Sequence, residues 1–212
     1  MPALAGIAAA TVVIACILVW LGVRLAGAAS TSAVRRVALF VLVAYVAICF
    51  WRPSAFLVAD VFVLATGTLA GSVLGQMLRS TPALIAFAVA AGIADAISFT
   101  GGVTRTILEA SHASKSSLLV YLSLSVPVPH LGLTAVVGVG DLFVLAVFMA
   151  ALRRLEYGRA AFIVPSSGLL IALGAGLALG GVPAVPMMSA AVIVLVGITK
   201  FRQSRTVPLR TP

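Results

Sequence analysis

Short polar breaks divide the chain into seven apolar runs, roughly residues 3–24, 37–51, 54–77, 82–100, 133–152, 160–180 and 183–200. About 20 apolar residues are what an α-helix needs to cross the hydrocarbon core of a bilayer at 1.5 Å per residue. Hydrophobic residues make up 62% of the chain and charged residues 9%, with a mean hydropathy of +1.23. A soluble domain of 212 residues has no interior large enough for that much apolar surface, so the solvent is lipid. The expected fold is therefore all-α, a polytopic transmembrane helix bundle of about seven spans. The first run lacks a charged leader and a small-residue cleavage site, and reads as a retained helix rather than a signal peptide.

Charge orients these spans. The net charge is +9, but the basic residues are not gathered as a nucleic-acid interface would gather them. Arg24, Arg35 and Arg36 fall between runs one and two, Arg79 between three and four, and Arg153, Arg154 and Arg159 between five and six. Lys200 ends the last run and Arg202, Arg205 and Arg210 follow it, whereas the alternate side holds Arg52, Arg105 and Lys115. Cytoplasmic segments collect Lys and Arg, so the expected N-terminus is outside and the C-terminus cytoplasmic. Arginine greatly outnumbers lysine and Ala, Gly, Val and Leu dominate, which points to a GC-rich bacterial source and its cytoplasmic membrane. Three regions follow: 1–81 with three spans, 82–200 with four spans and an external loop at 101–132, and a basic tail at 201–212 that reads as disordered and sits beside anionic lipid.

The loop at 101–132 has two halves. The first carries Arg105 and Glu109 one helical turn apart. The second, LLVYLSLSVPVP, is β-branched and apolar and is too short to cross a bilayer, so it reads as a strand or extended segment packed on the bundle. Cys16 and Cys49 fall inside apolar runs as ordinary small buried thiols, with neither a disulfide nor a metal implied. His112 and His130 are isolated loop residues, and no Cys/His cluster suggests zinc.

Five acidic residues exist in all, so each has to be placed. Glu109 and Glu156 fall in loops and read as solvated surface charges. Asp60 lies inside the third run, where it either pairs with Arg52 or lines a polar cavity. Asp95 and Asp141 are embedded in apolar sequence, where a carboxyl group is costly enough to imply a partner or a function. With the inferred orientation, Asp95 sits roughly 7–9 Å below the outer end of the fourth span, and Asp141 roughly 12 Å below the same face. The two acids thus arrive at similar depth on sequential antiparallel helices.

Two carboxyl groups a few ångströms apart in low dielectric cannot both ionise, and share one proton as a coupled pair. The ionised partner takes a proton from water while the protonated one hydrogen-bonds a substrate carbonyl, the arrangement used for aspartyl proteolysis. No metal or cofactor is required. Ser98 and Ser125 lack an intramembrane His or Lys base that would make them nucleophiles. Gly138 and Gly140, just before Asp141, serve either close helix packing or an opening of the backbone to a peptide, and would let the fifth helix approach the fourth.

IADAISF followed by VVGVGDLFVLAVF and then GGVPAVPMM resembles the catalytic helices of the GxGD intramembrane aspartyl proteases, the presenilin and signal peptide peptidase group. That family carries Tyr-Asp, then Gly-x-Gly-Asp, then Pro-Ala-Leu at the start of the final helix. Here the matching elements are Ala94-Asp95, Gly138-Val139-Gly140-Asp141 and Pro183-Ala184-Val185. RTILEA also looks like a presenilin stretch. The likeness covers roughly residues 82–200, a presenilin-like catalytic half, and the first three spans stand where the family has five. Alanine replaces the family's tyrosine and Val185 its leucine. The orientation resembles that of signal peptide peptidases. Prepilin peptidases, another GxGD group, usually carry a lysine shortly after the aspartate, where this chain has Leu142, Phe143 and Val144.

The resemblance implies an aspartic endopeptidase that cuts transmembrane peptide or protein substrates within the lipid bilayer. Asp95 and Asp141 would be the dyad, Gly138 and Gly140 would leave room for substrate, and Pro183, Ala184 and Val185 would help hold it. An unwound substrate would add as a strand to LLVYLSLSV. Two other readings stay open: a proton-coupled transporter or channel using the same acids, and a non-catalytic relative that binds transmembrane segments.

Overall fold

The computed structural model describes residues 2–51, 56–101, 122–128, 132–179 and 182–206. Seven helices lie among them: α1 (Pro2–Ala28), α2 (Thr31–Trp51), α3 (Phe56–Met77), α4 (Thr81–Gly101), α5 (Val139–Arg154), α6 (Ala160–Leu179) and α7 (Ala184–Thr206). A two-stranded antiparallel hairpin, β1 (Ser123–Val128) and β2 (Gly132–Gly138), leads directly into α5. Stretches of α1, α3, α4, α6 and α7 are each long and apolar enough to cross a membrane. The chain is an integral membrane helix bundle of all-α type, with one hairpin among the described residues.

Three boundaries differ from the sequence expectation, each for a local reason. Helix α2 begins at Thr31 and takes Arg35 and Arg36 into its first turns, because Ser30 caps it: the Ser30 carbonyl accepts from Val34 N–H at 3.1 Å and its Oγ from Ala33 N–H at 3.4 Å. The apolar run at 133–152 splits, with its first part forming β2 and only 16 residues forming α5. Apolar content alone does not separate a short strand from the start of a helix, and GLTAVVG is β-branched and bounded by glycines. The last helix continues to Thr206, through the first six positions of the expected tail.

Arg52, Arg105, Glu109, His112, Lys115 and His130 lie outside the described residues, and with them the Arg52–Asp60 and Arg105–Glu109 pairings.

Helix α5 is the hub of the bundle. Leu142 and every residue from Val144 to Leu152 are buried, and α3 runs along it as its most extensive neighbour. The cause is a row of glycines on α3 at four-residue spacing: Gly67, Gly71 and Gly75. A Cβ at Gly67 would stand 2.9 Å from Leu142 Cβ, and one at Gly75 would stand 2.6 Å from the Val147 carbonyl oxygen. At Gly71 it would run into the Phe143 carbonyl oxygen. Apolar side chains gain little by leaving lipid for protein, so membrane helices associate through close packing, and small residues let the backbones approach. Gly168 plays the same part between α6 and α7, where a Cβ would lie 2.7 Å from Met188 Cα.

The far end of α5 is closed by a Schellman turn. Tyr157 N–H donates to the Leu152 carbonyl at 3.0 Å and Glu156 N–H to the Arg153 carbonyl at 3.1 Å, with Glu156 at φ 63°. Arg153 reaches across to α1 and donates to the carbonyls of Val23 at 3.3 Å and Arg24 at 3.4 Å. Helix α4 packs mainly on α7 and touches α5 only lightly, partly through the edge-on contact of Phe87 with Phe148 at 5.8 Å. The expected close approach of the fourth and fifth helices is therefore replaced by α3 against α5, because the three-glycine row belongs to α3.

Gly71→Ala is expected to destabilise the protein by about 1–3 kcal/mol, the usual cost of overpacking. Gly174→Ala in α6, where a Cβ meets nothing within 4 Å, is expected to be neutral or slightly stabilising. Thermal unfolding of both variants in the same detergent measures the difference.

Candidate active site

Asp141 occupies the third position of α5, and its place follows from how that helix starts. Gly138 is the N-cap, with extended backbone at φ −74° and ψ 154°. The Gly138 N–H donates to Asp141 Oδ2 at 3.1 Å, the arm of a capping box in which an acid in the first turn reaches back to the cap. A negative group there also complements the positive end of the helix.

Asp95 lies near the end of α4 and performs a related task for a different helix. Its Oδ2 accepts the N–H of Val185 at 3.2 Å. Val185 is in the first turn of α7, where backbone amides have no partner within the helix. Pro186 follows in the same turn, a position at which the missing N–H costs nothing. The Pro-Ala-Val segment is thus tied to Asp95 by one backbone amide.

The two acids line one cavity of about 360 Å³. Pro183 and Ala184 line it beside Asp95, and Gly138 beside Asp141; Leu122 and Ser123, next to and within β1, also line it. Apart from Asp95, Asp141 and Ser123 the lining side chains are apolar or absent, with Val12 from α1 and Leu169 from α6 among them. The volume is about a dozen times the roughly 30 Å³ share of one water in the liquid, within the range of ligand pockets. Among the described residues no three His, Cys, Asp or Glu side chains gather as a metal site would require.

Not every residue singled out in the sequence belongs to this cavity. Gly140 is exposed, a Cβ there would meet nothing within 4 Å, and it is absent from the lining. Val185 is buried at 4% exposure and contributes its backbone amide rather than a wall. Glu156 is exposed in the turn after α5, as a solvated charge.

Of the two expectations for Asp60, the pairing with Arg52 falls outside the described residues and the cavity is not borne out. The Asp60 Oδ1 accepts the N–H of Ser125 in β1 at 3.0 Å. Sequence reading also passed over the four-residue glycine spacing on α3, a signal that was available, and the hairpin partner β2. Val12, Leu169 and Gly176 carry no local mark that would have assigned them to a cavity.

No family model, curated protein or solved structure matches this chain.

Of the two glycines before Asp141, Gly138 lines the cavity and Gly140 does not. In a background with Cys16 and Cys49 changed to Ala, Ala184→Cys is expected to react with a small water-soluble maleimide. Adding Gly138→Leu should slow that reaction markedly, whereas Gly140→Leu should leave it unchanged; the labelling rate measures both.

Proposed function

We propose that the chain is an intramembrane aspartyl protease in which Asp95 and Asp141 form the catalytic dyad. The observation that carries this reading is that the two carboxyl groups, from helices that touch only lightly, line the same cavity together with Gly138, Pro183 and Ala184. One carboxylate would act as general base toward water, and the other, protonated, would hydrogen-bond the scissile carbonyl. A transmembrane substrate must unwind before its carbonyl is accessible, since helical hydrogen bonds occupy it. The hairpin beside the cavity offers such a segment a strand edge to pair with. The likeness to the GxGD proteases, with Ala94 before Asp95 and Val185 in the third motif, points the same way. The proposed setting is a bacterial cytoplasmic membrane, on the composition, with the C-terminus cytoplasmic, on the distribution of arginines.

A second reading rests on the hydrogen bonds themselves. Each aspartate holds a backbone amide at a helix start, so each has a structural task that needs no chemistry. On that reading the protein binds transmembrane segments without cutting them.

Asparagine separates the two. Asp95→Asn and Asp141→Asn keep an oxygen that accepts the same amides, but neither supplies a dyad. Either variant is expected to remain folded and to lower cleavage of a membrane-embedded reporter peptide about 10²–10⁴-fold, the usual worth of a general acid or base. The double variant should be little worse than either single one, because the pair acts as a unit. Undiminished cleavage in either single variant would sink the assignment. Flux driven by a pH gradient without proteolysis would instead mark a proton-coupled transporter.

A further inference from the structure

Asp60 is the third acid within the apolar helices and takes no part in the proposed chemistry. It is half-buried on α3 and its carboxylate accepts the Ser125 N–H at 3.0 Å. That amide belongs to a strand with a register shift at this point: Leu124 pairs with Val137, and the next residue, Ser125, pairs with Ala135. A bulge of this kind interrupts the ladder and re-aims local groups. Ser125 is buried, and a buried backbone amide that faces away from its partner strand needs another acceptor. Among the described residues Asp60 supplies it.

The consequence runs through the hairpin to the site. Ser123, two residues before the held amide, lines the cavity and pairs with Gly138. Gly138 in turn donates its N–H to Asp141. A short connected path therefore links α3, through Asp60, β1 and β2, to the start of α5. Helix α3 is itself the closest-packed neighbour of α5, so the hairpin is braced against a rigid element.

We propose that Asp60 is a positioning residue, latching the hairpin to α3 so that the cavity wall at Leu122 and Ser123 stays opposite Asp141. The latch needs an acceptor oxygen on a short side chain and not a negative charge, which sets it apart from both catalytic aspartates. Its effect on cleavage rests on the proteolytic reading above; its effect on the hairpin does not.

The test compares Asp60→Asn with Asp60→Ala in the full chain in detergent micelles. Amide hydrogen exchange over residues 122–128, read by mass spectrometry, is paired with reporter cleavage. Asp60→Ala is expected to speed exchange in this segment and to lower kcat/KM about tenfold, the scale for a lost hydrogen bond to a charged group, mostly through KM. Asp60→Asn should stay within about threefold of the wild type in both, since its oxygen still accepts one hydrogen bond. Unchanged exchange in Asp60→Ala overturns the latch. So does an Asp60→Asn variant that is folded yet as impaired as Asp60→Ala, because a charge would then be required. If Asp60→Ala fails to fold, normal exchange and cleavage in Asp60→Asn support the latch, and faster exchange there overturns it. If the wild type itself cuts no reporter, the proteolytic reading fails and the exchange comparison still decides the latch.

Discussion

The structure depends on the contact between α3 and α5. Three glycines one turn apart bring the two backbones close enough that a single added methyl group would meet carbonyl oxygens of the facing helix. In lipid such contact counts for more than apolar burial does, since an apolar side chain is as well accommodated by lipid chains as by protein. Helix α5, buried along almost its whole length, is consequently fixed in depth and rotation. Everything attached to its first turn inherits that fixity, including Gly138 and Asp141.

The other half of the site is assembled differently. Helix α4 leans on α7, and Asp95 joins the two by accepting an amide from the first turn of α7. Two helix starts thus converge on one cavity, each with a carboxyl group satisfying an amide that its helix leaves unpaired. This arrangement explains how acids persist in a lipid setting: each carboxyl group has a backbone donor. It also explains why Pro183, Ala184 and Val185 stand near Asp95 although some ninety positions separate them. The hairpin closes the assembly, because β2 ends at Gly138 and β1 is held to α3 through Asp60.

Parts of this were legible in the residues and parts were not. The strand character of LSLSVPV was legible, from β-branching, from the prolines and from a length too short to span a bilayer. Its partner was not, because GLTAVVG continues into an apolar helix with no polar break to separate the two. Asp95 and Asp141 were conspicuous as carboxyl groups in apolar sequence, but the expectation of comparable depth takes two full-length antiparallel helices. The site instead joins the end of one helix to the start of a shortened one. G-x-G places two glycines near the acid, but Gly138, the extended last residue of β2, lines the cavity, while Gly140 lies exposed in the first turn of α5.

By itself the amino-acid sequence determined the lipid setting, the helical character and the identity of the acids that need an explanation. Those properties are local: hydropathy and charge accumulate residue by residue, and a carboxyl group in an apolar run is conspicuous wherever it folds. Only the tertiary structure decided which helices touch, that β2 is a strand, that Asp60 serves the hairpin and that Asp95 holds the start of α7. These depend on close approach between segments far apart in the chain. Such approach is set by shape, and in particular by where side chains are missing, and hydropathy does not record that.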